Sequence, residues 1–238
     1  MVAALVVAAF AYIGLLAYPQ PLFAHQIVDG NFTVWSDRPI DPAIAEVLDD
    51  VRFRLETSEL YDETQRFRVF LCNEDWRLRL LGQRFNASLG GVADGWFARH
   101  IFIRESVIAE NRLVSPSGGP MLDAEVRTLS YYIAHEAAHI LEARAFGRVM
   151  AIWHPQWLWE GYADYVAKGG DFDFDLNRGL LINDHSHLDY ERSGLYRRFH
   201  LQVALLLDKK GLDVRDVFAA PPDEAELLAE LRSGAALE

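Results

Sequence analysis

From Val2 to Tyr18 the chain carries no charged residue and consists almost wholly of Ala, Val, Leu, Ile and aromatic residues. A run like this predicts a helix with no polar face. Its seventeen residues span about 25 Å, just short of the roughly 30 Å hydrocarbon core of a bilayer. Pro19-Gln-Pro21 follows, and the small residue Ala24 could end a cleavage site. The run fits a membrane anchor or uncleaved signal, a cleaved signal, or a buried N-terminal helix. The first two readings put the remainder outside the cytoplasm, periplasmic or extracellular. They divide the chain into a segment over 1–24 and one domain over 25–238.

Beyond this run the pattern alternates between the two periods of secondary structure. Asn31-Phe-Thr-Val-Trp-Ser36 alternates as a short strand. Asp41-Pro42 offers an N-cap with proline at the first helical position. Ile44, Val47, Leu48, Val51 and Leu55 then recur at helical spacing, predicting a helix over 42–57. Phe67 to Cys72 reads as a second strand. Asn73 is expected to cap a short helix through Trp76, Leu78 and Leu81, ended by Gly82. A glycine-rich bend from Gly90-Gly91 to Gly95 leads to a third strand, His100 to Arg104. That strand is either an ordinary core strand or an exposed edge on which an extended peptide can add as a further strand.

After the turn-rich Ser115-Pro-Ser-Gly-Gly-Pro120, apolar positions predict a helix over 123–146 with Gly147 as its stop. A connector over 148–154 leads to Pro155, which opens a helix through Trp157, Leu158, Tyr162 and Val166, closed by Gly169-Gly170. Asp171-Phe-Asp-Phe-Asp175 alternates strictly and reads as a short strand or extended loop. Its three Asp residues do not make a calcium loop, because Leu176 and Ile182 stand where glycine and an acidic residue are needed. A helical region over about 188–210, broken near Gly194, and a helix from Asp223 to Leu231 complete an α+β chain.

Composition narrows the chemistry. Asp and Glu number 35 against 23 Lys and Arg, a net charge of −12, and this argues against a nucleic-acid partner, which needs a basic face. The single cysteine, Cys72, excludes an intrachain disulfide and a cysteine zinc site, and its apolar setting predicts a small buried side chain.

The helix over 123–146 contains His135-Glu136-Ala-Ala-His139. Residues four apart share a helix face, so both imidazoles can point at one place with Glu136 beside them. Ile133, Ala134, Ala137, Ala138, Ile140 and Leu141 make this helix apolar nearly all round, hence buried. Buried histidines and a glutamate need partners, and a metal supplies one. A catalytic zinc takes three protein ligands and keeps one position open. Ala145, six residues after His139, removes the metzincin version of the motif, where a third histidine stands. The remaining candidates are His154 and the stretch Trp157-Leu-Trp-Glu160-Gly161-Tyr-Ala-Asp164-Tyr165. Glu160 is favoured over His154, because Asp164 lies one turn along on the same face. There it can accept the free ring N–H of a ligating histidine.

His135-Glu136-x-x-His139 followed by Trp157-Leu-x-Glu160-Gly161-x-Ala163-Asp164-Tyr165 resembles the gluzincin zinc metallopeptidases, in particular the thermolysin-like and aminopeptidase-like members of the peptidase MA clan. The resemblance covers about residues 128–168. It implies zinc on His135, His139 and Glu160, Glu136 as catalytic base, and Asp164 behind a ligand. It also implies a zincin-like fold: a small twisted sheet, the metal helix, then a mainly helical C-terminal part. The implied activity is hydrolysis of peptide or protein substrates. The Gly-x-Met-Glu-Asn element of the aminopeptidases is missing, which points to an endopeptidase. A downstream Tyr or His stabilises the oxyanion in this family. Tyr190, Tyr196, His185, His187 and His200 compete for that role, and Tyr196 is preferred for its place on the helix after the metal helices. The rival expectation is a zincin-like scaffold that binds zinc and cleaves nothing.

Overall fold

The computed structural model describes residues 2–82, 89–95 and 98–233, with side chains from residue 5 onward. Two-residue periodicity organises the first half. The central sheet contains β1 (His25–Asp29), β2 (Phe32–Ser36), β3 (Phe67–Cys72), β4 (Gly91–Ala93) and β5 (His100–Arg104), in the order β1-β2-β3-β5-β4. β2, β3 and β5 run parallel, and β1 and β4 pair antiparallel at the two edges. Strand side chains alternate between faces. Phe32, Val34, Phe67, Val69, Leu71, Ile101 and Ile103 therefore enter the main core, while Phe70, Cys72 and Phe102 enter a second, smaller one on the opposite face. Cys72 is fully buried there, as its setting predicts.

The strands over 31–36, 67–72 and 100–104 are observed, and β1 is an addition the sequence reading lacked. Of the two readings of His100–Arg104 the core strand holds and the edge does not, because β5 lies between β3 and β4. The glycine-rich bend is itself the edge strand β4. Its glycines are needed for close approach: a Cβ on Gly90 would stand 2.2 Å from the Tyr132 ring, and one on Gly91 would stand 2.9 Å from Glu136 Cγ.

Helices cover both faces. The second core is closed by α3 (Asp75–Leu81) and by the last turn of α1 (Val2–Ala17), whose Leu16 is 3% exposed. Asn73 does not cap α3: its side-chain N–H group donates to Ser36 and Asp37 instead. Among the described residues, no helix is long and apolar enough to cross a membrane.

The main core is covered by α2 (Ile44–Leu55) and α4 (Leu129–Ala145). α4 begins six residues later than expected. The side chain of Thr128 caps it by accepting the Tyr131 N–H, and Asp123, at φ +61°, is outside the helix. The segment between β5 and α4 holds a small hairpin, β6 (Ser106–Val107) and β7 (Arg112–Leu113).

The connector over 148–154 contains a short helix, α5 (Met150–Trp153), before α6 (Gln156–Lys168). Gly169, at φ +55°, ends α6 as expected. Asp171–Asp175 is not a strand, because Asp173 accepts the Leu176 N–H and so starts α7 (Phe174–Ile182). The expected break at Gly194 separates α8 (Tyr190–Ser193) from α9 (Arg197–Ala204), which runs on into a π-turn over Leu205–Lys209. α10 (Val214–Ala219) and α11 (Glu224–Ser233) complete a helical C-terminal half, so the chain is α+β with a small mixed sheet. α6 is the hub of that half, packed on α4 along one side and on α9 along the other.

Candidate metal centre and active-site cleft

α4 brings His135 and His139 to one face, one turn apart, and their rings meet edge to face at 4.8 Å. α6 crosses so that Glu160 Oε2 lies 3.2 Å from His135 Nε2 and 3.6 Å from His139 Nε2. The three ligand atoms all lie within 4.8 Å of one another. Bonds of about 2.0–2.1 Å in a tetrahedral shell place ligand atoms roughly 3.3 Å apart. The donor set is two imidazole nitrogens and a carboxylate oxygen, nearly buried, so these residues could hold a metal ion. Burial pushes the Glu160 carboxyl up, but the hydrogen bonds and charge of His135 and His139 outweigh it and hold the carboxyl low.

Glu136 stands outside this convergent group. It is 7% exposed, and burial pushes its carboxyl above the usual range, against the pull of the two histidines and the main chain of Ala93. A carboxylate so placed is a good proton acceptor. The closeness of β4 follows from Gly91, where any side chain would run into Glu136.

The partners of the ligands differ from expectation at one position. Asp164 does not accept from either motif histidine. Its carboxylate, 1% exposed, accepts from the Tyr131 hydroxyl and the Lys168 ammonium, and lies 3.0 Å from His200 Nδ1. α6 turns this residue past α4 toward α9, and the network ties the three helices together. Glu142 takes the expected place instead, with Oε2 2.8 Å from His139 Nδ1 and no exposure. Burial pushes the Glu142 carboxyl up to about 7 against the opposing pull of His139. A buried acidic residue three positions after the second histidine, on the same helix face, was the available signal.

His154 is no ligand: its ring nitrogens each lie 2.9 Å from a main-chain carbonyl oxygen, of Met150 and of Phe218. Among the tyrosines and histidines that compete downstream, His185 and His187 are exposed on a turn and His200 is held by Asp164. Tyr196 stacks on His135 at 5.4 Å and 9°, and Tyr190 stacks on Tyr196 in turn. Burial, with the charge of Glu160 next, pushes the Tyr196 phenol far above its usual value, so it stays a proton-bearing donor.

A cleft of about 420 Å³ opens over the group. Val92 and Ala93 of β4 form one wall, and Trp159, Tyr190 and Tyr196 line the other side. Trp159 also leans on His139 at 5.2 Å. α6 also packs closely on α9: a Cβ on Gly161 would stand 2.6 Å from the Phe199 carbonyl oxygen, so only glycine lets the two helices lie this near. Sequence comparison with protein-family models and with curated proteins, and structural comparison with solved structures, find no match for this chain.

Proposed function

We propose that the chain is a zincin-like zinc peptidase that hydrolyses internal peptide bonds of peptide or protein substrates. The observation that carries this reading is the convergence of His135, His139 and Glu160 with Glu136 free beside them, under a cleft walled by a sheet edge. His135, His139 and Glu160 would hold the zinc, which when bound would supply a water of lowered pKa and a Lewis acid for a carbonyl oxygen. The protein supplies the rest. Among the described residues β4 is an edge strand of the sheet, along which an extended substrate can add as a further strand. Glu136 accepts a proton from the attacking water as its oxygen bonds to the scissile carbon. It then gives that proton to the departing amine nitrogen as the C–N bond breaks. Tyr196 donates its O–H to the oxyanion that forms between those steps. Glu142 holds His139 in the tautomer that leaves Nε2 free to ligate.

The test is zinc stoichiometry on the full chain together with digestion of a broad peptide library. One equivalent of zinc and cleavage within peptides are expected. Zinc without cleavage by the parent chain would favour the rival scaffold reading, and no zinc at all would remove both.

A further inference from the structure

The N-terminal helix presents two unlike halves. Its last turn is part of the folded domain. Leu16 is buried with Phe23, Phe70, Cys72, Leu78, Leu81 and Phe102. The Tyr12 hydroxyl donates to the Leu80 carbonyl at 2.7 Å, and Arg77 Nε donates to the carbonyl of Leu22 at 3.2 Å. Apart from that contact of the Tyr12 hydroxyl, residues 5–14 are exposed. Leu5, Val6 and Val7 are 66%, 47% and 68% exposed, and Phe10 is 70% exposed. Three consecutive residues on a helix point about 100° apart. A groove in a protein partner would cover one such direction, whereas a fluid apolar medium covers all of them. The exposed stretch is about 15 Å long, close to the hydrocarbon depth of one leaflet. Tyr18 is 74% exposed at its base, and Trp76, one turn before Leu80 on α3, is 48% exposed. Aromatic residues of this kind sit at the boundary between lipid and water.

We infer that α1 is a retained part of the mature fold, and that its exposed half inserts into a lipid bilayer while its last turn clamps the domain to the membrane surface. The net charge of −12 leaves no general electrostatic attraction to an anionic surface, so the attachment is hydrophobic.

The experiment is flotation of the full chain with vesicles of pure phosphatidylcholine. The chain is expected to float with them, and to do so equally in 1 M NaCl, where surface charge is screened over about 3 Å. The double variant Leu5→Asp, Phe10→Asp should lose flotation about tenfold or more with an unchanged thermal transition, since both residues are exposed. Three results would overturn the insertion: a parent chain that stays with the soluble fraction, a double variant that floats as well, or a defined oligomer through α1 that vesicles fail to dissolve. Intact mass of the chain recovered from expressing cells tests retention. A mature chain beginning near residue 25 would overturn that part. None of these readouts depends on zinc or on peptide cleavage.

Discussion

Glu142 offers the sharpest test of the metal centre, because it stands where Asp164 was expected. Its Oε2 lies 2.8 Å from His139 Nδ1, and its side chain has no exposure to solvent. A charge-assisted hydrogen bond of this kind contributes about 1.5–3 kcal/mol when it is not shared with water. If that energy is expressed in how firmly His139 presents Nε2, its loss weakens zinc roughly 10- to 150-fold. The spread reported for partners behind metal ligands, about 10- to 100-fold, is similar. Glu142→Ala should fall near the upper end. Glu142→Gln keeps a carbonyl oxygen for the ring N–H and should fall near the lower end. Asp164→Asn should change zinc affinity by no more than about twofold, while lowering stability, because that carboxylate bonds Tyr131, Lys168 and His200 instead. The assay is competition with a chelator of known affinity, with circular dichroism to verify the fold of each variant. A folded Glu142→Ala protein that binds zinc as tightly as the parent would refute the reasoning. So would an Asp164→Asn protein that loses as much affinity.

Glu136→Gln should retain one zinc and lose about 10²–10⁴-fold in turnover, measured on the best peptide from the library; undiminished turnover would remove the base assignment. Gly161→Ala should destabilise by about 1–3 kcal/mol in urea denaturation, because the new methyl meets the fixed main chain of Phe199 at 2.6 Å. His100 reports on acid stability. Burial holds its imidazole down to about 4 from an ordinary 6.5, so the unfolded chain takes up the proton first. The stability that depends on this group is complete above pH 6.5 and declines as pH falls toward 4, by up to about 3 kcal/mol. His100→Leu should make the decline between pH 7 and 4.5 shallower, and an identical slope in both proteins would show that other groups govern it.

Most of what was legible in the sequence came from periodicity within single elements. The strand at 32–36 alternates, those at 67–72 and 100–104 read as short apolar runs because each is covered on both faces, and α2 and α6 carry their spacing openly. The pairing of His135 with His139 was readable because one helix of regular pitch fixes side-chain direction, and Glu160 entered through its neighbour Asp164 and the resemblance to a two-helix motif. What failed depends on contacts between distant segments. Gly90-Gly91 has the composition of a bend, and only the presence of Tyr132 and Glu136 beside it shows that closeness is what the glycines serve. Which carboxylate reaches a histidine depends on how α6 is rotated against α4, and spacing along α6 alone does not contain that angle. The Asp-rich stretch at 171–175 alternates like a strand, yet one side-chain cap at Asp173 turns it into the start of a helix.

The crossing of α4 and α6 has a mechanical consequence. Two donor atoms ride on one helix and the third on the other, so an ion held by all three staples the sheet-side layer to the helical C-terminal layer. Tyr196 travels with the second layer, since α9 is locked to α6 at Gly161. Any breathing of the molecule along the α4–α6 seam would then open the cleft, separate Glu136 from Tyr196 and pull the ligands apart in one motion. If the proposed ion binds there, its occupancy would favour the closed cleft, and the stability of the α4–α6 seam would rise with the free concentration of the ion.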